Sequence, residues 1–160
     1  MRLERPLNYL AKSELFENRW SAWMLRALNA FPVRQGAGDV GAVRDTIQRL
    51  REGHLLNLYP EGARTTDGEI GPLQRGVALI IRRAGVPVVP AVIVGSFHAW
   101  PIHRRWLRRW PVHVRYGRPM DLVGLPADEC MAIIQRTLNG LFDELRDHAT
   151  RRIGGSHANP

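Results

Sequence analysis

The stretch of sequence that decides the fold is residues 55–65, LLNLYPEGART. Residues 55–59 are mostly apolar and predict a buried strand. Residues 60–75 follow as a loop rich in Gly, Pro, Thr and Asp. Ligands bind beyond the carboxyl ends of parallel strands, so we expect the start of this loop at a ligand-binding edge.

Strand-like and helix-like segments alternate on both sides of this stretch. Such alternation predicts an α/β fold, a largely parallel twisted sheet flanked by helices. We expect a single domain over residues 1–150 and a disordered tail over residues 151–160. Apolar residues at helical spacing predict helices within residues 17–30, 39–52, 76–84 and 128–148, and a β-branched run predicts a central strand over residues 88–94.

Composition limits the class of protein. The chain has 160 residues, 44% of them hydrophobic, as in globular proteins. A single cysteine, Cys130, excludes a disulfide framework or a zinc cluster within the chain and favours a reducing cytoplasm. The net charge of +8 comes almost entirely from arginine, which indicates either an anionic partner or a bias of the genome.

Glu61 and Arg64 stand at the start of the loop, where a ligand is expected. Arginine binds phosphate through a planar fork of donors, and Gly62 lets a ligand approach the backbone. An ordinary β-turn with a solvated Glu–Arg pair explains the same residues. The tetrapeptide by itself favours the β-turn, because turns of this type are common.

Four blocks in order resolve this choice. The loop start YPEGART resembles the F-P-E-G-T-R-S block of the glycerol-3-phosphate and lysophosphatidate acyltransferases, although Ala63 replaces the usual threonine. The pair Arg75-Gly76 resembles the K/R-x-G that follows it, although here the arginine and the glycine are adjacent. The other blocks are residues 11–15 (AKSEL, resembling K-x-E-L), 31–34 (FPVR, resembling F-I-x-R) and 86–91 (VPVVPA, resembling V-P-V-x-P-V).

The resemblance implies transfer of a fatty acyl group from acyl-CoA or acyl carrier protein to a hydroxyl of glycerol 3-phosphate or a lysophospholipid. It implies no cofactor and no metal. Residues carry over by position: Arg34, Glu61, Gly62 and Arg64 to the surface that binds the substrate phosphate, and Pro60 and Pro90 to the shape of the pocket.

The family's catalytic H-x4-D box has no counterpart among the six histidines, because none has an aspartate five positions later. The histidine of this box is the general base on the acceptor hydroxyl. In the family the box precedes K-x-E-L, and here only eleven residues precede Lys12. We therefore expect a chain truncated at its N-terminus and inactive by itself. His98 is interpreted as a surface or packing histidine.

Residues 97–110 combine tryptophans and arginines: Trp100, Arg104, Arg105, Trp106, Arg108, Arg109 and Trp110. Tryptophan favours the membrane interface and arginine binds anionic headgroups, which predicts a peripheral location on the inner face of the membrane. Packing tryptophans with solvated arginines explain the pattern equally well. The alternative functions are a non-catalytic module that binds phospholipid and, ranked lower, a nucleic-acid-binding protein, for which no recognised motif is present.

Overall fold

Strands and helices alternate along the chain. The structure is a computed structural model that describes residues 5, 7–33 and 40–155. The strands are β1 (Leu7–Lys12), β2 (Ala30–Val33), β3 (Leu55–Asn57), β4 (Ala91–Val94) and β5 (His113–Tyr116). The helices are α1 (Arg19–Ala27), α2 (Val40–Arg51), α3 (Gly76–Ala84), α4 (Ser96–Ala99) and α5 (Ala127–Gly155), with a 3-10 turn at Ser13–Phe16.

The first three strands form a parallel sheet with β1 in the middle. Tyr9 of β1 stands opposite Ala30 of β2 on one side and Asn57 of β3 on the other. The carboxyl ends of all three strands therefore meet at one edge, as the predicted α/β fold requires. The loop that begins with residues 58–60 leaves the sheet from this edge.

The fourth strand departs from its prediction as a central strand. Strand β4 pairs antiparallel with β5 in a separate two-stranded sheet, and Val88 only bridges to Met120. Of the four residues of β4, Val92 is buried. A β-branched run has the same sequence pattern whether its sheet is covered on both faces or on one face. In addition, Pro87 and Pro90 each remove a backbone donor that a longer ladder needs.

The core lies between α3, β4 and α5. The apolar stripe predicted for the last helix is buried at Ile134, Leu138, Phe142 and Leu145. Cys130 belongs to the same core, and burial raises the pKa of its thiol. Each such side chain contributes about 1.5–3 kcal/mol when it leaves water, so α5 is the main support of the β4 layer.

Two helices differ from their predicted form. Helix α5 continues to Gly155, past the expected end near residue 148, and residues 156–160 lie outside the described residues. Residue 39, the first residue of the helix predicted within residues 39–52, also lies outside them. Helix α1 starts after Asn18, whose side chain accepts from Trp20 N–H at 2.9 Å, and Trp20 itself is exposed.

None of the described helices has the length and apolar character needed to cross a bilayer.

Candidate functional site

The loop after β3 is tied back onto itself at its base. Gln74 N–H donates to the Pro60 carbonyl at 2.7 Å, and the Gln74 side chain donates to the Glu61 carbonyl at 3.3 Å. Gly62 N–H closes a turn on the Tyr59 carbonyl at 3.1 Å. We call residues 59–75 the PEG loop. Its two ends are joined beside the carboxyl edge of the sheet.

Glu61 braces the inside of the PEG loop. Its Oε2 accepts a hydrogen bond from Gly71 N–H at 2.8 Å. A carboxylate repels a phosphate group, so a direct contact with phosphate is unfavourable for this side chain. The geometry makes Glu61 a positioning residue that holds the two limbs of the loop together.

Gly62 is required by the backbone at the tip of the turn. Its φ of +71° lies in the left-handed region, where side chains with a Cβ are strained. A Cβ there would also meet Gln74 Cγ at 3.2 Å. Glycine therefore allows Gln74 to close the loop base.

A second turn of the loop is built around Asp67. The Asp67 carboxylate accepts from Glu69 N–H at 3.0 Å and from the Thr65 hydroxyl at 2.9 Å. These bonds, the one from Glu69 first, lower the pKa of Asp67. The stabilisation from this carboxylate is present above the ordinary aspartate pKa and is lost as pH falls through the lowered one.

The far side of the PEG loop is anchored to α5 through charges. Arg146 Nη1 lies 2.8 Å and 3.1 Å from the two Glu69 carboxylate oxygens, and its Nη2 lies 2.7 Å from Asp143. Exposed pairs contribute roughly 0–1 kcal/mol each, and here Arg146 divides its two terminal nitrogens between Glu69 and Asp143. The contact fixes where the loop lies more than it stabilises the fold.

Arg64 is a cation of the PEG loop that contacts an aromatic ring. Its guanidinium lies over the Trp100 ring, 5.4 Å from the ring centroid, and its side chain is exposed. Within the described residues no carboxylate lies within ion-pair distance of it. The cation–π contact orients the Arg64 side chain and leaves its N–H donors available for an anion.

Of the other predicted site residues, Pro60 lies in the PEG loop and Pro90 lies outside it. Arg34 lies outside the described residues, so its place beside Arg64 stays a prediction. Pro60 is half-buried and accepts the bond from Gln74. Pro90 is buried against β5, where its carbonyl accepts from Gly117 N–H at 2.8 Å. Its pocket-shaping role also stays a prediction.

The sequence profile of the acyltransferase family matches residues 1–94, which hold all the blocks described above. The chain belongs to the acyltransferase family. The 1-acyl-sn-glycerol-3-phosphate acyltransferase of Bacillus subtilis is 29% identical over 148 residues, 91% of this chain and 71% of the relative. That of Streptococcus pneumoniae is 25% identical over 155 residues, 95% of this chain and 56% of the relative.

A solved structure supports the same relationship. The crystal structure of the 1-acyl-sn-glycerophosphate acyltransferase PlsC from Thermotoga maritima superposes with a TM-score of 0.75 and 26% identity. The match covers 87% of this chain and 56% of that chain, so this acyltransferase chain spans little more than half of that relative's length. The α/β fold predicted from the sequence is confirmed.

The tertiary partners of the PEG-loop residues of this acyltransferase chain were not predicted from the sequence. Trp100 under Arg64, Gly71 opposite Glu61 and Arg146 opposite Glu69 are separated from them by 36, 10 and 77 positions along the chain. No local sequence pattern predicts contacts at such separations. The one nearby sequence signal for the closed loop was the Arg75-Gly76 pair. It directly follows Gln74, the residue that closes the base of the loop.

His98 lies on the surface of this acyltransferase chain between two aromatic rings. Its ring centroid is 5.5 Å from that of Phe97 and 5.0 Å from that of Trp110. Among the described residues no carboxylate forms an ion pair with it. The position agrees with a surface or packing histidine.

Proposed function

We propose that this chain forms the glycerophosphate-binding part of a 1-acyl-sn-glycerol-3-phosphate acyltransferase of phospholipid biosynthesis. The observation that carries the proposal is Arg64, an oriented cation without an acidic partner in the described part of the chain. It projects from a braced loop at the carboxyl edge of a parallel sheet. A phosphate monoester is the chemical group that fits a free guanidinium fork.

The reaction would join a lysophosphatidate hydroxyl to a fatty acyl thioester of coenzyme A or acyl carrier protein. The hydroxyl oxygen attacks the thioester carbonyl carbon, the C–S bond breaks, and the proton of the hydroxyl finally resides on the departing thiol. A base must take that proton during the attack, because a neutral hydroxyl is a weak nucleophile. Arg64 would hold the phosphate so that the hydroxyl is in place.

The base itself is proposed to lie outside these 160 residues. None of the six histidines has the aspartate at the H-x4-D spacing. His98 faces aromatic rings and has no described carboxylate to orient it. The arrangement therefore supports substrate binding within this chain and proton transfer by a group supplied from elsewhere.

The test is calorimetric titration of the chain with glycerol 3-phosphate. Loss of a charge-assisted hydrogen bond costs about 1.5–3 kcal/mol, so Arg64→Ala should weaken binding by one to two orders of magnitude. Arg64→Lys should recover part of the affinity, since a lysine keeps the charge without the fork.

Arg136→Ala is the matched control, because Arg136 is an exposed arginine of α5 far along the chain from the loop. Its affinity should equal that of the unmodified chain. Equal affinity of the Arg64→Ala chain would remove Arg64 from the phosphate site and with it the basis of the proposal.

A further inference from the structure

A projecting loop follows the short helix α4. Arg108 N–H donates to the Ala99 carbonyl at 2.8 Å and closes the loop, and Trp100 Nε1 donates to the Arg104 carbonyl at 3.0 Å across it. We call residues 97–110, which include the last three residues of α4, the Trp–Arg loop. The bonds hold its backbone in one arrangement, so its side chains are presented by a defined surface.

The base of this loop is closely packed, because the backbone at Gly95 lies against the backbone at Pro111. Gly95 has a φ of +93°, and a Cβ there would stand 2.1 Å from the Pro111 carbonyl oxygen. His98 lies against Trp110, and Ala99 is buried. The two ends of the loop are therefore fixed to each other, which leaves the outer part free to face a partner.

The outer part of the Trp–Arg loop exposes large apolar side chains. Trp106 is 82% exposed and Leu107 is 73% exposed. Trp100 and Ile102 on the same loop are also exposed. Adjacent exposed apolar groups on an ordered loop are typical of interaction sites, because they gain free energy only when a partner removes them from water.

The same loop carries unneutralised positive charge. Arg104, Arg105, Arg108 and Arg109 are exposed, and none forms an ion pair within the described residues. By contrast, Arg115 of the nearby strand β5 pairs with Glu144 at 3.0 Å. The sequence has no aspartate or glutamate between Glu69 and Asp121, so no acidic residue stands close along the chain to offset these arginines.

We propose that the Trp–Arg loop docks the protein on the surface of an anionic phospholipid bilayer. Arginines bind headgroup phosphates, while indole rings settle at the interface between headgroups and acyl chains. Leu107 and Ile102 distinguish this partner from single-stranded RNA: aliphatic side chains enter an acyl layer favourably but offer no ring on which a base can stack.

The surface goes beyond the family match and beyond the proposed acyl transfer. Residues 97–110 follow the matched residues 1–94. The two regions meet where the Arg64 guanidinium lies over the Trp100 ring and where the Phe97 ring lies beside Gly68. Docking of the loop would therefore place the candidate phosphate site beside the lipid surface, and its test needs no enzymatic turnover.

The experiment is co-sedimentation of the full 160-residue chain with vesicles of phosphatidylglycerol and phosphatidylcholine, compared with pure phosphatidylcholine. Binding should require phosphatidylglycerol and weaken at high salt. Two arginines at about 1 kcal/mol each predict that Arg108→Ala/Arg109→Ala lowers the partition coefficient about 30-fold. Trp106→Ala should lower it about tenfold through loss of the buried indole.

The matched control for charge is Arg82→Ala/Arg83→Ala in the last turn of α3, which removes the same charge from another element. It should leave vesicle binding within a few-fold of the unmodified chain. The proposal is overturned if the control and the loop variants lose binding equally, or if loop variants that keep the native circular dichroism spectrum bind as tightly as the unmodified chain. Binding of single-stranded RNA but not of vesicles at the same salt would assign the loop to nucleic acid instead.

Discussion

Glu61 and Arg64 lie three positions apart in the PEG loop and have different tasks. The carboxylate of Glu61 points into the loop and accepts from Gly71 N–H, whereas Arg64 points outward over Trp100. The family block P-E-G-T-R therefore combines one residue that shapes the loop with one that is free to bind. We infer that its acidic residue supports the phosphate site without touching the phosphate.

Two substitutions of Glu61 distinguish the effect of its negative charge from the effect of its hydrogen-bond acceptor oxygen. Glu61→Ala leaves Gly71 N–H without its partner and should lower the free energy of unfolding by about 1–2 kcal/mol. Glu61→Gln keeps an acceptor oxygen at the same length and should lose much less. Chemical denaturation of both variants measures the difference. If Glu61→Gln is as destabilised as Glu61→Ala, the negative charge rather than the hydrogen bond is what the loop requires.

At the scale of elements, short connections and glycines place the functional segments. The PEG loop is held by β3 on one side and by α5 through Arg146, and the Trp–Arg loop is held at Gly95 by the Pro111 backbone. Both loops therefore depend on packing against elements distant in the chain. Glycines elsewhere in the chain differ in how much space surrounds them, so alanine substitutions at two of them test this packing.

Gly95→Ala should destabilise the protein by about 3 kcal/mol, because a methyl group there clashes with the Pro111 backbone and the φ of Gly95 is strained for alanine. Gly140→Ala is the matched control. Gly140 lies within α5, and a methyl group there would meet no atom within 4 Å beyond its own helix, so alanine should stabilise the helix by about 0.5–1 kcal/mol. Thermal or chemical denaturation compares the two. Equal stability of both variants would contradict the close approach at the loop base.

At the scale of the whole molecule, the described residues supply one oriented cation for phosphate but no histidine at the H-x4-D spacing. The loss of a positioned base typically lowers a rate by about 10²- to 10⁴-fold. We therefore expect the 160-residue chain to turn over acyl-CoA and lysophosphatidate only at a trace rate. Extension at the N-terminus with a segment that carries H-x4-D should restore turnover.

The same extension with its histidine replaced by alanine is the control, and release of free coenzyme A is the measurement. Ordinary turnover by the 160-residue chain would show that an unrecognised base is present, and His98→Ala would then be the next variant. Binding of glycerol 3-phosphate without turnover in the extended chain would favour a non-catalytic phospholipid-binding module.

The sequence by itself determined the elements and the edge of the sheet. Periodicity is a property of each segment, so a strand beginning at residue 55, the buried stripe of α5 and the loop after β3 were predictable. The strand was predicted as buried over residues 55–59, whereas β3 is half-buried and ends at Asn57. The order of the blocks predicted the family for the same reason, because each block is local.

Only the tertiary structure decided which side chains meet and which faces are covered. Three contacts join segments far apart in the chain: the pairing of β4 with β5, the Arg64–Trp100 contact and the Glu69–Arg146 ion pair. Trp20 and Trp106 are exposed although their residue type is typical of a core. Residue type sets the free energy that a side chain gains on burial. The arrangement of distant segments decides whether another part of the chain is there to bury that side chain.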